Sequence, residues 1–152
     1  MLVSDALDRK GTDVVTTTAE TSIVDVARLL KGRGVGVIVV TSATGAVAGI
    51  LSERDIVHGI AMHGRDAVDL RVRDLMSDQI VTCERKDTVD QAMQQMIAHA
   101  CRHLPVVEDG ALMGLVSMSD VVKLRLQDLH QLAAAATPTG ADEDLDGWPV
   151  KA

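Results

Sequence analysis

Short apolar runs alternate along this chain with longer stretches whose apolar residues recur at helical spacing. "DVVTT" (13–17) is a brief β-branched run. Ile23, Val26, Ala27 and Leu30 then fall on one helical face. "VIVV" (37–40) reads as a strand, "TSATG" as a turn, and a second strand ends at "GILSERD", from which another helix departs. The same order returns farther on. "QIVT" (79–82) precedes a helix carrying Val89, Ala92, Met93 and Met96. "LPVV" (104–107), the turn "EDG" and a strand ending at "GLVSMSD" follow. Both first helices open on a capping pattern, Ser22-x-x-Asp25 and Thr88-x-x-Gln91.

The chain is thus an internal repeat. Residues 13–30 align with 79–96 without a gap, "VIVV" meets "LPVV", and Gly49–Asp55 meets Gly114–Asp120. Each copy predicts β-α-β-β-α, an α/β fold. The expected divisions are an N-terminal segment (1–10), repeat 1 (11–63), a linker with a short helix at "VRDLM" (64–78), repeat 2 (79–130) and an acidic, mobile tail (131–152). A long helix is expected through "SDVVKLRLQDLHQLAAAA".

Composition narrows the chemistry. Of 152 residues 47% are hydrophobic, yet there is no Phe or Tyr and a single Trp, so a planar ligand would have to lie between aliphatic side chains and backbone. A net charge of −7 without a basic stripe argues against nucleic acid as a partner. No leader is visible, and the longest apolar run is far below the ~20 residues that span a bilayer. A cytoplasmic protein without a membrane partner is expected. Cys83 and Cys101 form no CxxC and are expected to be reduced.

The two units ending in Gly-h-h-Ser-x-x-Asp resemble a pair of CBS domains, also called a Bateman module, over roughly residues 8–130. "SERDIV", "RHLPVV" and "SDVVK" are similar to small stand-alone bacterial CBS proteins, whose units are related to those of inosine-monophosphate dehydrogenase. The resemblance implies two repeats packed about a pseudo-two-fold axis, with two clefts for adenine nucleotides. AMP or NAD(H) is favoured, with ATP, ADP or S-adenosylmethionine as alternatives. It further implies a homodimer and a regulatory, non-catalytic role, exerted on a partner protein. The alternative is a dimerisation or docking module that regulates an enzyme or transporter without a ligand of its own.

Elementary chemistry assigns candidate roles within that frame. One carboxylate can accept hydrogen bonds from two adjacent ribose hydroxyls, which suits Asp55 and Asp120. Helix N-termini attract phosphate, which suits Ser52 and Ser117, with Arg54 and Lys123 as further phosphate candidates; the resemblance adds Arg102 and His103, basic side chains placed just before the Leu-Pro-Val strand to reach phosphates. Gly49 and Gly114 would admit a close approach of backbone or ligand. The resemblance places Thr16 and Val37, and in the second copy Thr82 and Leu104, near a base. Because the copies differ in their basic residues, two unequal clefts are expected.

Plainer readings compete. A lone Ser-x-x-Asp is an ordinary capping box; its duplication after the same Gly-h-h favours a ligand role. "HACRH" offers His99, Cys101 and His103 as metal ligands, but a fourth would have to come from elsewhere. No nucleophile–base set, Walker loop or HExxH occurs, so no catalytic residue and no metal are assigned.

Overall fold

A computed structural model describes residues 1–136. Helix α1 (Val3–Lys10) leads into β1 (Thr16–Thr17), α2 (Ile23–Arg33), β2 (Val37–Thr41), β3 (Val47–Ser52) and α3 (Glu53–His63). After a 3-10 turn (Gly64–Asp69) come α4 (Val72–Leu75), α5 (Val89–Ala98), β4 (His103–Glu108), β5 (Ala111–Ser117) and α6 (Met118–Ala136). Residues 131–136 of the expected tail belong to α6; the remainder lies outside the described residues.

The helices begin where the sequence supplies caps. Ser22 Oγ accepts from the Asp25 amide at 3.1 Å, and Thr88 and Gln91 form a reciprocal box. β2 and β3 pair antiparallel, as do β4 and β5, and each hairpin carries a register shift at the same place. The second hairpin turns through Asp109 and Gly110, both with positive φ, the geometry that suits an Asp-Gly turn.

Each copy has its own core, and each core borrows from the segment preceding the other copy. Val3, Ala6 and Leu7 of α1 pack with Val89, Met96, Leu104, Val116 and Val121. Val72 of α4 packs with Ile23, Val26, Ile38 and Leu51, with Leu75 and Met76 against them. Hydrogen bonds repeat this exchange. Val3 N–H donates to the Asp87 carbonyl (2.8 Å) as Val72 N–H does to that of Thr21 (2.9 Å). Ser4 N–H donates to the Arg85 carbonyl (3.0 Å) as Arg73 N–H does to that of Ala19 (3.0 Å). The N-terminal segment is therefore a core helix of repeat 2.

Two expectations need correction. First, the ladders pair Val37 with Ser52 and His103 with Ser117. Val37 thus corresponds to His103, and Ile38 to Leu104; matching "VIVV" to "LPVV" slips by one residue. A one-residue slip turns a strand side chain to the opposite face, and Ile38 and Leu104 are both fully buried in their cores. Secondly, "QIVT" is not a strand. In repeat 1, Val39 N–H donates to the Val15 carbonyl at 3.1 Å and anchors β1. Pro105 occupies the equivalent position and has no N–H, so only a Cys83–Val106 bridge remains.

Candidate functional site

Position along β2 and β3 sets the first cleft. Val37 pairs with Ser52 at the end of the hairpin, where α3 begins. Ser52 caps α3: its Oγ accepts from the Asp55 amide at 3.3 Å, and Asp55 Oδ2 accepts from Ser52 N–H and Oγ, both at 2.7 Å. The second carboxylate oxygen of Asp55 has no partner among the described residues. The capping role therefore leaves acceptor capacity for a ligand, and the positive end of an 11-residue helix points the same way.

Residues of both copies meet here around a cavity of about 730 Å³. Repeat 1 supplies Val37, Ile50, Ser52, Arg54 and Asp55; repeat 2 supplies Ile80, Val81, Arg102, His103 and Pro105. The volume falls within the roughly 300–1,000 Å³ of typical small-molecule sites. Ile50, Ile80, Val81 and Pro105 form aliphatic walls of the kind a chain without Phe or Tyr needs. Among the described residues, Pro105 also leaves the Val81 carbonyl without the strand hydrogen bond that the Val15 carbonyl accepts.

Not every expected residue reaches this cavity. Thr16 and Thr82 are exposed and do not line it, and Leu104 lies in the second core. Ser117, Asp120 and Lys123 stand apart from it. Ser117 N–H and Oγ donate to Asp120 Oδ2 at 2.8 and 2.7 Å, repeating the first motif. Asp120 and Lys123 border a recess of about 230 Å³ together with Arg9 and Lys10 of α1. Burial opposes ionisation of Asp120, but hydrogen bonds from Lys10 and Ser117 and the charge of Lys10 outweigh it. Its carboxyl is held below the ordinary range.

His103 lines the large cavity while feeling the second motif. Burial first, then the charge of Lys10, pushes its pKa down; Asp120 opposes this and Arg102 reinforces it. Burial and Lys10 both favour the neutral imidazole over a second cation beside Arg102.

Glu53 is a cavity residue that sequence reasoning missed. It follows the capping Ser52, and its carboxylate lies over Gly36, where a β-carbon would come within 2.9 Å of Oε1. Ser77, Gln79 and His99 also line the wall and were not assigned to it. Cys101 lines it too, its thiol pushed up in pKa by burial. No group of three or more His, Cys, Asp or Glu among the described residues is arranged to hold a metal ion. No described helix is long and apolar enough to cross a membrane.

Exchanged helices, paired hairpins and a ligand-sized cleft between copies define a tandem α/β repeat module. The chain belongs to the CBS-domain family: the model of the CBS domain matches residues 3–62 and 72–127. It is 32% identical over 119 residues to the CBS domain-containing protein YhcV of Bacillus subtilis, covering 78% of this chain and 84% of that one. Among solved structures it resembles the CBS-domain containing protein ATU1752 from Agrobacterium tumefaciens. The two are 43% identical with a TM-score of 0.78, over 82% of this chain and 92% of the other. The fold also matches the CBS domain pair of protein MJ0100, solved in complex with 5′-methylthioadenosine and S-adenosyl-L-methionine. There the identity is 22% and the TM-score 0.75, over 84% and 98% of the two chains. The chain spans 58% and 63% of the length of two other curated relatives.

Proposed function

We propose that this chain is a non-catalytic sensor that binds an adenine nucleotide in the cleft beside Asp55. The observation that carries the reading is the two-copy composition of that cleft. Asp55 offers a free carboxylate oxygen at one end and Arg54 a guanidinium beside it, while Arg102 and His103 come from the other repeat. Asp55 holds the ribose hydroxyls, the two arginines meet phosphate, and the base lies among Val37, Ile50, Ile80 and Val81. A ligand touching both repeats favours one relative orientation of them by its differential affinity, which is how occupancy becomes a signal. The adenosine-type ligands of MJ0100 support the ligand class, and AMP and NAD(H) are our first candidates.

A second reading, docking without a ligand, is favoured by one observation. Val57, Ile60 and Met62 on α3, and Val122, Leu126, Leu129 and Leu132 on α6, are exposed apolar residues. A homodimer or a regulated partner would cover them.

Melting curves with AMP, ADP, ATP, NAD, NADH and S-adenosylmethionine separate the two. At 100 times its dissociation constant a ligand adds about 2.7 kcal/mol, a shift of several degrees. We expect a shift with AMP or NAD(H), lost in Asp55→Ala and kept in Asp120→Ala. A flat panel on a folded protein would remove the sensor reading in favour of docking.

A further inference from the structure

The residue after the capping serine differs between the two copies. Glu53 N–H donates to the Gly36 carbonyl and Met118 N–H to the Arg102 carbonyl, both at 2.9 Å, so Gly36 corresponds to Arg102 and Glu53 to Met118. Met118 is apolar and packs against the second core, while Arg102 lines the large cavity. Repeat 1 has no side chain at the position of that arginine, and the Glu53 carboxylate takes the room. A β-carbon on Gly36 would come within 2.9 Å of Glu53 Oε1 and 3.2 Å of its Cδ. The carboxylate accepts no hydrogen bond and makes no ion pair among the described residues. Arg54 and Arg102 make none there either, so three unpaired charges border the cavity.

The carboxylates and guanidiniums of the cavity wall cancel: Glu53 and Asp55 against Arg54 and Arg102. Burial, then the charge of Lys10, holds His103 toward its neutral form. We infer that Glu53 determines specificity in this cleft by limiting the negative charge it accepts, so that a nucleoside monophosphate is admitted and a triphosphate rejected. One phosphate meets two guanidiniums and a helix start. Further phosphates bring more negative charge beside a carboxylate already seated in the first turn of α3. Discrimination of this kind needs a repulsive element as well as attractive ones. The inference rests on the adenine-nucleotide reading of the cleft and adds to it the charge of the ligand.

Calorimetric titration of the full chain with AMP and with magnesium-free ATP, at low and at high salt, tests it. We expect the wild type to bind AMP more tightly than ATP. Glu53→Gln keeps the shape and removes the charge. ATP should then bind about tenfold more tightly, AMP should change far less, and the gain should shrink in high salt. Glu53→Asp, which keeps the charge, should keep the preference for AMP. Tighter binding of ATP by the wild type, a ratio unchanged by Glu53→Gln, or a gain insensitive to salt would overturn the charge filter and leave the sensor reading standing. Loss of the preference in Glu53→Asp would likewise overturn it, by showing that shape alone acts. If neither nucleotide bound either the wild type or Glu53→Gln, the inference would fall, and the sensor reading with it if the melting panel were also flat.

Discussion

The two Ser-x-x-Asp motifs are nearly superimposable in their hydrogen bonds and opposite in their surroundings. Ser52–Asp55 and Ser117–Asp120 each cap a helix through the same serine amide, serine hydroxyl and aspartate oxygen. Beside Asp55 lie Arg102, His103 and Pro105 of the other repeat, around a cavity. Against Asp120 lies Lys10 of α1. The motif by itself builds a helix start. What surrounds it depends on what the rest of the molecule brings: residues of the other repeat beside Asp55, and Lys10 of α1 against Asp120.

Removing the anchor of α1 gives the largest expected effect. Leu7 is fully buried in the second core, while its counterpart Met76 is only partly buried against the first. Leu7→Ala is expected to cost about 2–5 kcal/mol, by lost transfer energy and a cavity, and Met76→Ala less. Chemical denaturation of both variants measures this. If Met76→Ala proved the more costly, α1 would not be the firmer of the two exchanged helices, and the comparison would break.

The shared glycines give the next effect. A β-carbon on Gly114 would come within 2.7 Å of Leu7 Cδ2, and one on Gly49 within 2.8 Å of Met76 Sδ and 3.0 Å of the Ser77 carbonyl oxygen. These glycines make room for α1 and for the segment after α4; the close approach is by protein and not by ligand. A leucine tip can turn aside, but a backbone carbonyl that also accepts the Ile50 amide cannot move cheaply. Overpacking costs about 1–3 kcal/mol, so Gly49→Ala is expected near the top of that range and Gly114→Ala near the bottom. Equal losses on denaturation would show that Leu7 is held as rigidly as the Ser77 backbone.

The repeat, the helices and both capping motifs were legible because each is written in local spacing: Ile23, Val26 and Leu30 on one face, Ser52 three residues before Asp55. What the sequence hid is non-local. Nothing in "VSDALDRK" says that Val3 and Leu7 belong to the second core, or that Lys10 meets Asp120, 110 positions away. The slip of one residue at "LPVV" came from matching apolar letters where hydrogen-bond register decides. His103 takes the place of Val37, and a polar side chain there does not resemble its counterpart. Pro105 did carry a readable signal against "QIVT" as a strand, since a residue without N–H cannot anchor it. That signal needed the correct register before it could be read.

The smallest effect is the most specific, because His103 lies between the two motifs. It lines the large cavity, yet Lys10 and Asp120 both act on its charge, along with Arg102. Its folded pKa lies below the ordinary 6.5, so on acidification the unfolded chain binds this proton first. The contribution to stability is full above about pH 6.5 and is lost as the pH falls through that value toward the folded pKa. Melting of His103→Gln is therefore expected to fall less than that of the wild type between pH 7 and 5. In Lys10→Met the main charge holding the imidazole neutral is gone. An NMR titration should then find the His103 pKa higher than in the wild type. An unchanged value would mean that the Lys10–Asp120 pair is not felt at the wall of the cleft beside Asp55.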